Sequence, residues 1–278
     1  MSSLPVDRPD WAPVDVSPNR TISVRRDIVA VVGPDARTYL HGQVSQDIQS
    51  LAVGTSAWTL VLAPNGRVDV LARVLRVNDD RFDVDTDVGY GDVLAARLDR
   101  FRIRVKADLE QSTTTLHVNC LPTTQDLAST AQSSRIGWWN TGQWMDTPPS
   151  AASPTDGTVD DYERARIEAG WPAMGTEIVP GERIPAEVAV VPVTVNFSKG
   201  CYPGQELVER MDSRGSQAPR QLRIVDVDDG AEPGDPVADP DDPAGPPVGE
   251  ITSVAGGRAL AYVKRGAAVG VVPGPTSC

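Results

Sequence analysis

The chain is poor in the residues that build most metal and redox centres. Among 278 residues there are three cysteines, Cys120, Cys201 and Cys278, and two histidines, His41 and His117. No C-x-x-C pair occurs, and an odd cysteine count does not make a disulfide framework. A reducing, cytoplasmic setting is the expectation. A zinc site of His and Cys ligands has almost nothing to build on. Three widely spaced cysteines are also a poor ligand set for a permanent [4Fe–4S] centre. No apolar run approaches the roughly 20 residues of a membrane span, so no membrane is expected as partner. The first ten residues carry acids and prolines without an apolar core, unlike a secretory signal. Positive charge is scarce as well. Lys and Arg number 26 against 38 Asp and Glu, a net charge of −12, which argues against DNA or an anionic membrane surface as a partner. Walker A and G-x-G-x-x-G patterns are missing, so no phosphate cradle is indicated. Neither histidine forms a recognisable pair with a serine or cysteine nucleophile.

What is present reads as strands interrupted by helices. Thr21 to Val32 is extended and ends at Gly33-Pro34-Asp35, which suits a helix first turn. Ala36, Leu40 and Val44 then share a face. Thr55 to Ala63 and Val68 to Val77 read as a hairpin around Pro64-Asn65-Gly66. Phe82 to Asp85 is a further strand, residues 90–100 a helix, and Ile103 and Val105 begin another strand. Residues 141–157 form a loop rich in Pro, Ser and Thr. Thr158 and Asp161 make a capping-box-like start to a helix that stops at Gly170. Val188 to Phe197 is β-prone, and Pro203 to Met211 reads as a short helix. Asp226 to Pro247 is an acidic, proline-rich solvated loop. Gly249 to Val254 and Ala259 to Lys264 form a hairpin, and Arg220 to Val227 closes a small β unit with it. This order indicates an α+β protein with antiparallel sheets.

The chemically informative stretch is Lys199-Gly200-Cys201-Tyr202-Pro203-Gly204-Gln205-Glu206, placed between the β-prone run and a helix. Cys201 stands just ahead of a helix N-terminus with Lys199 two residues away, a setting that favours a thiolate. Spacing alone leaves a packed turn residue as the other reading of Cys201.

This segment, extended to Leu207 and Val208, resembles the signature of the folate-binding YgfZ family, which is related to the glycine-cleavage T-protein, an aminomethyltransferase. Other stretches resemble that family in the same order: residues 33–43, ending Gly42-Gln43; Pro64-Asn65-Gly66-Arg67; Arg166-Ile167-Glu168-Ala169-Gly170-Trp171-Pro172; and Val248-Gly249-Glu250-Ile251-Thr252-Ser253. The resemblance implies two intertwined α+β lobes around a central folate-binding opening, residues 1–215, and a C-terminal β-barrel, residues 216–278. It implies tetrahydrofolate or a one-carbon derivative as ligand, and iron–sulfur client or assembly proteins as partners. Glu168 matches the family acid, and a carboxylate there would accept the pterin N–H groups. Tyr162 would stack on the ring from the rim. Lys199 or Arg214 would meet the glutamate tail, and Cys201 with Lys199 would carry any chemistry. Six residues turn a helix by about 600°, so Tyr162 and Glu168 do not share a tight face. One departure bears on activity. The T-protein turn carries two acids, and here Asp69 fits the first while Val70 stands where the second, catalytic one is expected. An accessory role in iron–sulfur cluster assembly or repair is therefore preferred, with folate-dependent aminomethyl transfer as the alternative.

Overall fold

The computed structural model describes residues 21–120, 144–147, 157–213 and 218–274. A six-stranded antiparallel sheet forms the centre. Its strands are β1 (Thr21–Val32), β2 (Ser56–Leu62), β3 (Val68–Arg76), β4 (Arg81–Asp87), β5 (Asp108–Cys120) and β6 (Trp144–Thr147), in the spatial order β2-β3-β4-β1-β5-β6. The 12-residue β1 pairs with β4 on one side and β5 on the other.

Apolar residues run almost continuously along β2 and β3 because both faces of the sheet are covered. On one face Val29, Val31, Val61, Val70, Val74 and Phe82 pack under α1 (Ala36–His41) and α2 (Gly91–Asp99). On the other, Trp58, Leu60, Leu62 and Leu71 pack under α3 (Val159–Glu168). The same core takes in Leu222, Leu260 and Tyr262 of a second sheet. That sheet has four antiparallel strands, β7 (Arg220–Asp226), β8 (Pro236–Val237), β9 (Gly249–Ala255) and β10 (Arg258–Lys264), in the order β7-β10-β9-β8.

Helix α3 carries the expected capping box. Thr158 Oγ1 accepts from Asp161 N at 3.2 Å, and Asp161 Oδ2 accepts from Thr158 N at 2.8 Å. Both orphan donors at the helix start are thereby satisfied.

Three expectations need correction. Val188 to Phe197 is no strand: Val191–Thr194 is one short helical turn, α4. Pro192 lacks a ladder donor and suits a helix first turn, and Val188 and Val190 are buried by packing without pairing in a sheet. The strand after α2 starts at Asp108, beyond Ile103 and Val105, because Arg104 takes a left-handed conformation with φ 59°. The loop at 141–157 contains strand β6 in its described part. The remaining helix, α5 (Gln205–Ser213), follows the cysteine signature as expected.

Candidate functional site

A cavity of about 500 Å³ opens between β1, the end of β4, and α3 with the turn that follows it. Val159, Tyr162, Glu163 and Arg166 line it from α3. Their spacing of three and four residues puts them on one helical face. Trp58 and Trp171 stand against each other with ring centroids 4.8 Å apart, and Met174 lies beside them. The wall is thus aromatic, with a few polar groups, as small-molecule sites are.

Two ion-pair systems fix those polar groups. Arg26 is buried beneath the cavity and donates from Nε to Asp85 at 2.8 Å and from Nη1 to Asp87. Asp85 also accepts from Arg73 Nε at 2.8 Å. Burial opposes the Asp85 charge, and the two guanidiniums more than offset it, so its carboxyl sits below the usual range. The other oxygen of Asp87 accepts from Met174 N at 2.8 Å, tying the turn after α3 to the sheet. Burial, reinforced by the nearby Asp87 charge, pushes the Tyr162 phenol upward, so it is a neutral hydroxyl at physiological pH.

The second system centres on Arg166 and Glu177, both buried. Arg166 donates to Glu177 Oε2, to the Trp171 carbonyl and to Ser253 Oγ, each at 2.9 Å, and to Glu163 Oε2 at 2.6 Å. Glu177 also accepts from Ala173 N at 2.9 Å, Thr252 Oγ1 at 2.8 Å, and Ser253 Oγ. Helix α3, the cavity turn and strand β9 are thereby joined through one buried carboxylate. The Arg of the R-x-E-x-G-x-P segment and the Thr-Ser pair of the C-terminal strand, recognised separately in the sequence, meet here.

Of the residues singled out from the sequence, Tyr162 lines the cavity. Glu168 is not among the lining residues. It ends α3, half-buried, where burial raises its carboxyl and the charges of Arg258 and Arg164 partly counter that. Arg214 lies outside the described residues, as does Cys278. The cysteine signature lines no part of this cavity. Lys199 Nζ donates to the His41 and Val44 carbonyls, so the signature is clasped to the end of α1. Burial lowers the Lys199 ammonium to about 8. Its charge lies 4.9 Å from the centroid of the buried Tyr202 ring. Tyr202 N donates to Gln205 Oε1 at 2.9 Å, closing the turn that leads into α5. Gly204 has φ 80°, and a Cβ there would stand 2.5 Å from the Ala63 carbonyl, inside the Pro64-Asn65-Gly66 turn. A Cβ on Gly200 would meet nothing within 4 Å, and Glu206 is exposed and paired with Arg210. Cys201 is exposed and free.

Sequence reasoning missed Glu163, Arg166 and Asp87 as cavity residues. The first two were recoverable from helical spacing, since they lie one and four residues beyond Tyr162. Asp87 was not, because its role depends on β4 pairing with β1. Val70 is fully buried in the sheet core, and the face that would carry a second acid is apolar. Asp69 forms an ion pair with Arg97 of α2 at 2.8 Å. Among the described residues no group of three or more His, Cys, Asp or Glu is placed to hold a metal, and no helix is long and apolar enough to cross a membrane.

No protein-family model matches the chain. Over 102 residues, 34% of this chain, it is 38% identical to the iron–sulfur cluster assembly factor IBA57 homologue, mitochondrial, of Cryptococcus neoformans, of which the match spans 27%. Over 221 residues it is 28% identical to the mouse iron–sulfur cluster assembly factor IBA57, mitochondrial, covering 68% of this chain and 61% of that protein. An uncharacterized protein of Haemophilus influenzae is 26% identical over 200 residues, 68% of this chain and 67% of that one. Among solved structures, aminomethyltransferase T of the glycine cleavage system from Bartonella henselae superimposes with a TM-score of 0.71 at 16% identity, over 89% of this chain and 79% of that one. The cytoplasmic expectation is overturned by these names: the assembly-factor relatives are mitochondrial. Scarce cysteine signals a reducing compartment but does not say which. The family resemblance read from the motifs stands: the chain has the fold of the glycine-cleavage T-protein and is a sequence relative of the IBA57 iron–sulfur assembly factors.

Proposed function

We propose that the protein binds a tetrahydrofolate species in the cavity beside α3 and acts in iron–sulfur cluster assembly, with assembly or client proteins as partners. The observation that carries this reading is the cavity itself. At about 500 Å³, with tryptophan, tyrosine and methionine walls, it suits a flat heteroaromatic ring. Glu163 and Asp87 supply the carboxylates that pterin N–H donors require, and each is held in place by an arginine. In this reading Glu163 takes the part assigned from the motif to Glu168, and Tyr162 stacks as expected. The residues therefore fit the ligand. Arg25, exposed on the rim, faces the carboxylated tail. Cys201 acts on the partner side, since it is exposed and outside the cavity. The same reading carries the two lobes around a central opening, a boundary near residue 215 and a C-terminal sheet closed as a barrel. The buried Val70 argues against aminomethyl transfer.

Calorimetry with fresh tetrahydrofolate tests it. Micromolar-range binding is expected for the wild type, with a loss of tenfold or more in Tyr162→Ala and Glu163→Gln and little change in Glu168→Gln. Absence of heat and of protection against melting would remove the ligand. Cys201→Ser is expected to keep folding and folate binding while losing support of iron–sulfur enzymes in cells. Loss of folate binding in that variant would make the cysteine a turn residue.

A further inference from the structure

Four of the chain's 26 basic residues fall within seven consecutive positions. Between α2 and β5, Arg100, Arg102, Arg104 and Lys106 alternate with Phe101, Ile103 and Val105. Arg102 is spent internally, on Asp99, Asp108 and the Ala107 carbonyl. Arg100, Arg104 and Lys106 are exposed and form no ion pair among the described residues. Between them Ile103 is 76% exposed and Phe101 39% exposed.

The segment is anchored at its C-terminal end. Lys106 N donates to Asp35 Oδ2 at 2.8 Å, and the Lys106 carbonyl accepts from Asp35 N at 3.3 Å. A Cβ on Gly33 would stand 2.3 Å from that carbonyl, so the Gly33-Pro34-Asp35 turn grips the loop from behind. Arg104 is kept at φ 59°, a conformation that is sparsely populated for a side chain of this size and clusters at ligand clamps. A loop anchored in this way loses less freedom on binding than an untethered one.

We propose that residues 100–106 are a docking surface for an acidic protein segment that carries apolar side chains, with Ile103 as the central anchor and Arg100, Arg104 and Lys106 as its charged rim. The magnitudes select this class of partner. A duplex nucleic acid is held by about 6–10 phosphate contacts, against three free cations here on a chain of net charge −12. Anionic membranes call for clusters of about 4–8 basic residues. A duplex offers Ile103 no contact that removes it from water. A bilayer boundary would take an apolar side chain, so vesicle binding separates it from a protein partner, for which an apolar anchor inside a charged rim is the usual anatomy.

Fluorescence anisotropy of the full chain against a labelled peptide, Glu-Glu-Leu-Leu repeated three times, tests the assignment. Binding is expected at 50 mM salt and weakens at least tenfold at 300 mM. Ile103→Ser and the double change Arg100→Glu with Arg104→Glu each weaken it tenfold or more, while Val53→Ser, at an exposed valine outside the loop, does not. Unchanged melting shows that these surface variants remain folded. No peptide binding, or binding indifferent to both loop variants, overturns the proposal. So does equal binding of a peptide with serine for leucine, of single-stranded DNA, or of phosphatidylcholine vesicles with one fifth phosphatidylglycerol. Tetrahydrofolate calorimetry on the same samples separates this surface from the cavity: the loop variants keep folate binding, and failure of folate binding in the wild type leaves the docking result standing.

Discussion

Replacing Glu177 by glutamine removes one charge and almost no volume, so it isolates the electrostatic part of the junction between α3, the cavity turn and β9. The side chain is fully buried. Its two oxygens accept from Arg166, Ala173 N, Thr252 and Ser253. A glutamine keeps one acceptor oxygen and turns an amide toward donors. It leaves the Arg166 guanidinium, itself 2% exposed, with only the partly exposed Glu163 as counter-charge. Breaking a buried pair by removing one partner costs about 3–5 kcal/mol. Glu163 offsets some of this, so about 3 kcal/mol is expected. At roughly 2–4 °C per kcal/mol for chains approaching this size, the melting midpoint falls by about 6–12 °C. Glu206→Gln is the control, because its pair with Arg210 is exposed and such pairs contribute less than about 1 kcal/mol. Arg166 also holds the Trp171 carbonyl beside the cavity, so Glu177→Gln weakens ligand binding below its melting range. Differential scanning calorimetry at pH 7.5 decides the matter. A midpoint within about 2 °C of wild type, or equal to that of Glu206→Gln, refutes the assignment of this carboxylate as the counter-charge that holds the junction.

Gly204→Ala is expected to lose about 1–3 kcal/mol, since its φ of 80° is unfavourable to a side chain and the added Cβ meets the Ala63 carbonyl; Gly200→Ala, with open space around it, should melt like wild type. Val70→Asp restores a second acid to the β3 turn but puts a charge into the sheet core, so a misfolded product by circular dichroism is expected, and a folded variant with aminomethyl-transfer turnover would refute the argument. The Lys199 ammonium titrates near 8 in the fold against 10.5 in the unfolded chain. The unfolded state therefore binds more protons between those values, and this lysine makes stability rise with pH across that window. Denaturant midpoints at pH 7.5 and 9.5 should show a smaller rise, or a steeper fall, in Lys199→Met than in wild type.

The sheet was legible because its strands announce themselves locally. Val68, Val70, Ala72 and Val74 alternate, Pro64-Asn65-Gly66 turns the chain, and Thr158 with Asp161 starts α3 where it starts. Val188 to Phe197 misled because β-branched residues record burial as readily as pairing, and the proline inside it was the better signal. The site was legible only in part. Tyr162 and the face of α3 can be read from a periodicity of 3.6, whereas Asp87, Trp58 and Arg26 reach the cavity from strands that must first be paired. The buried partner of Arg166 was invisible for the same reason: Glu177 sits eleven residues away, among residues that look like an exposed turn.

The motifs that carried the resemblance turn out to be joints more than walls. Gly33 to Asp35 grips Lys106; Gly204 fits inside the turn of Gly66, whose own Cβ position is filled by Leu207 at 2.5 Å; Lys199 clasps the end of α1; Arg166 reaches Ser253. Each joint depends on a particular residue because a close approach or a buried charge tolerates few substitutes, so these positions bear first on the fold. The cavity wall is under a different constraint. Trp58, Tyr162, Glu163 and Trp171 need only suit whatever ring lies against them. It follows that motif similarity vouches for the fold more strongly than for the ligand, and that joints and wall can be separated experimentally. Exchanging wall residues should alter ligand choice with little change in melting, while changing a joint should lower melting whatever the ligand.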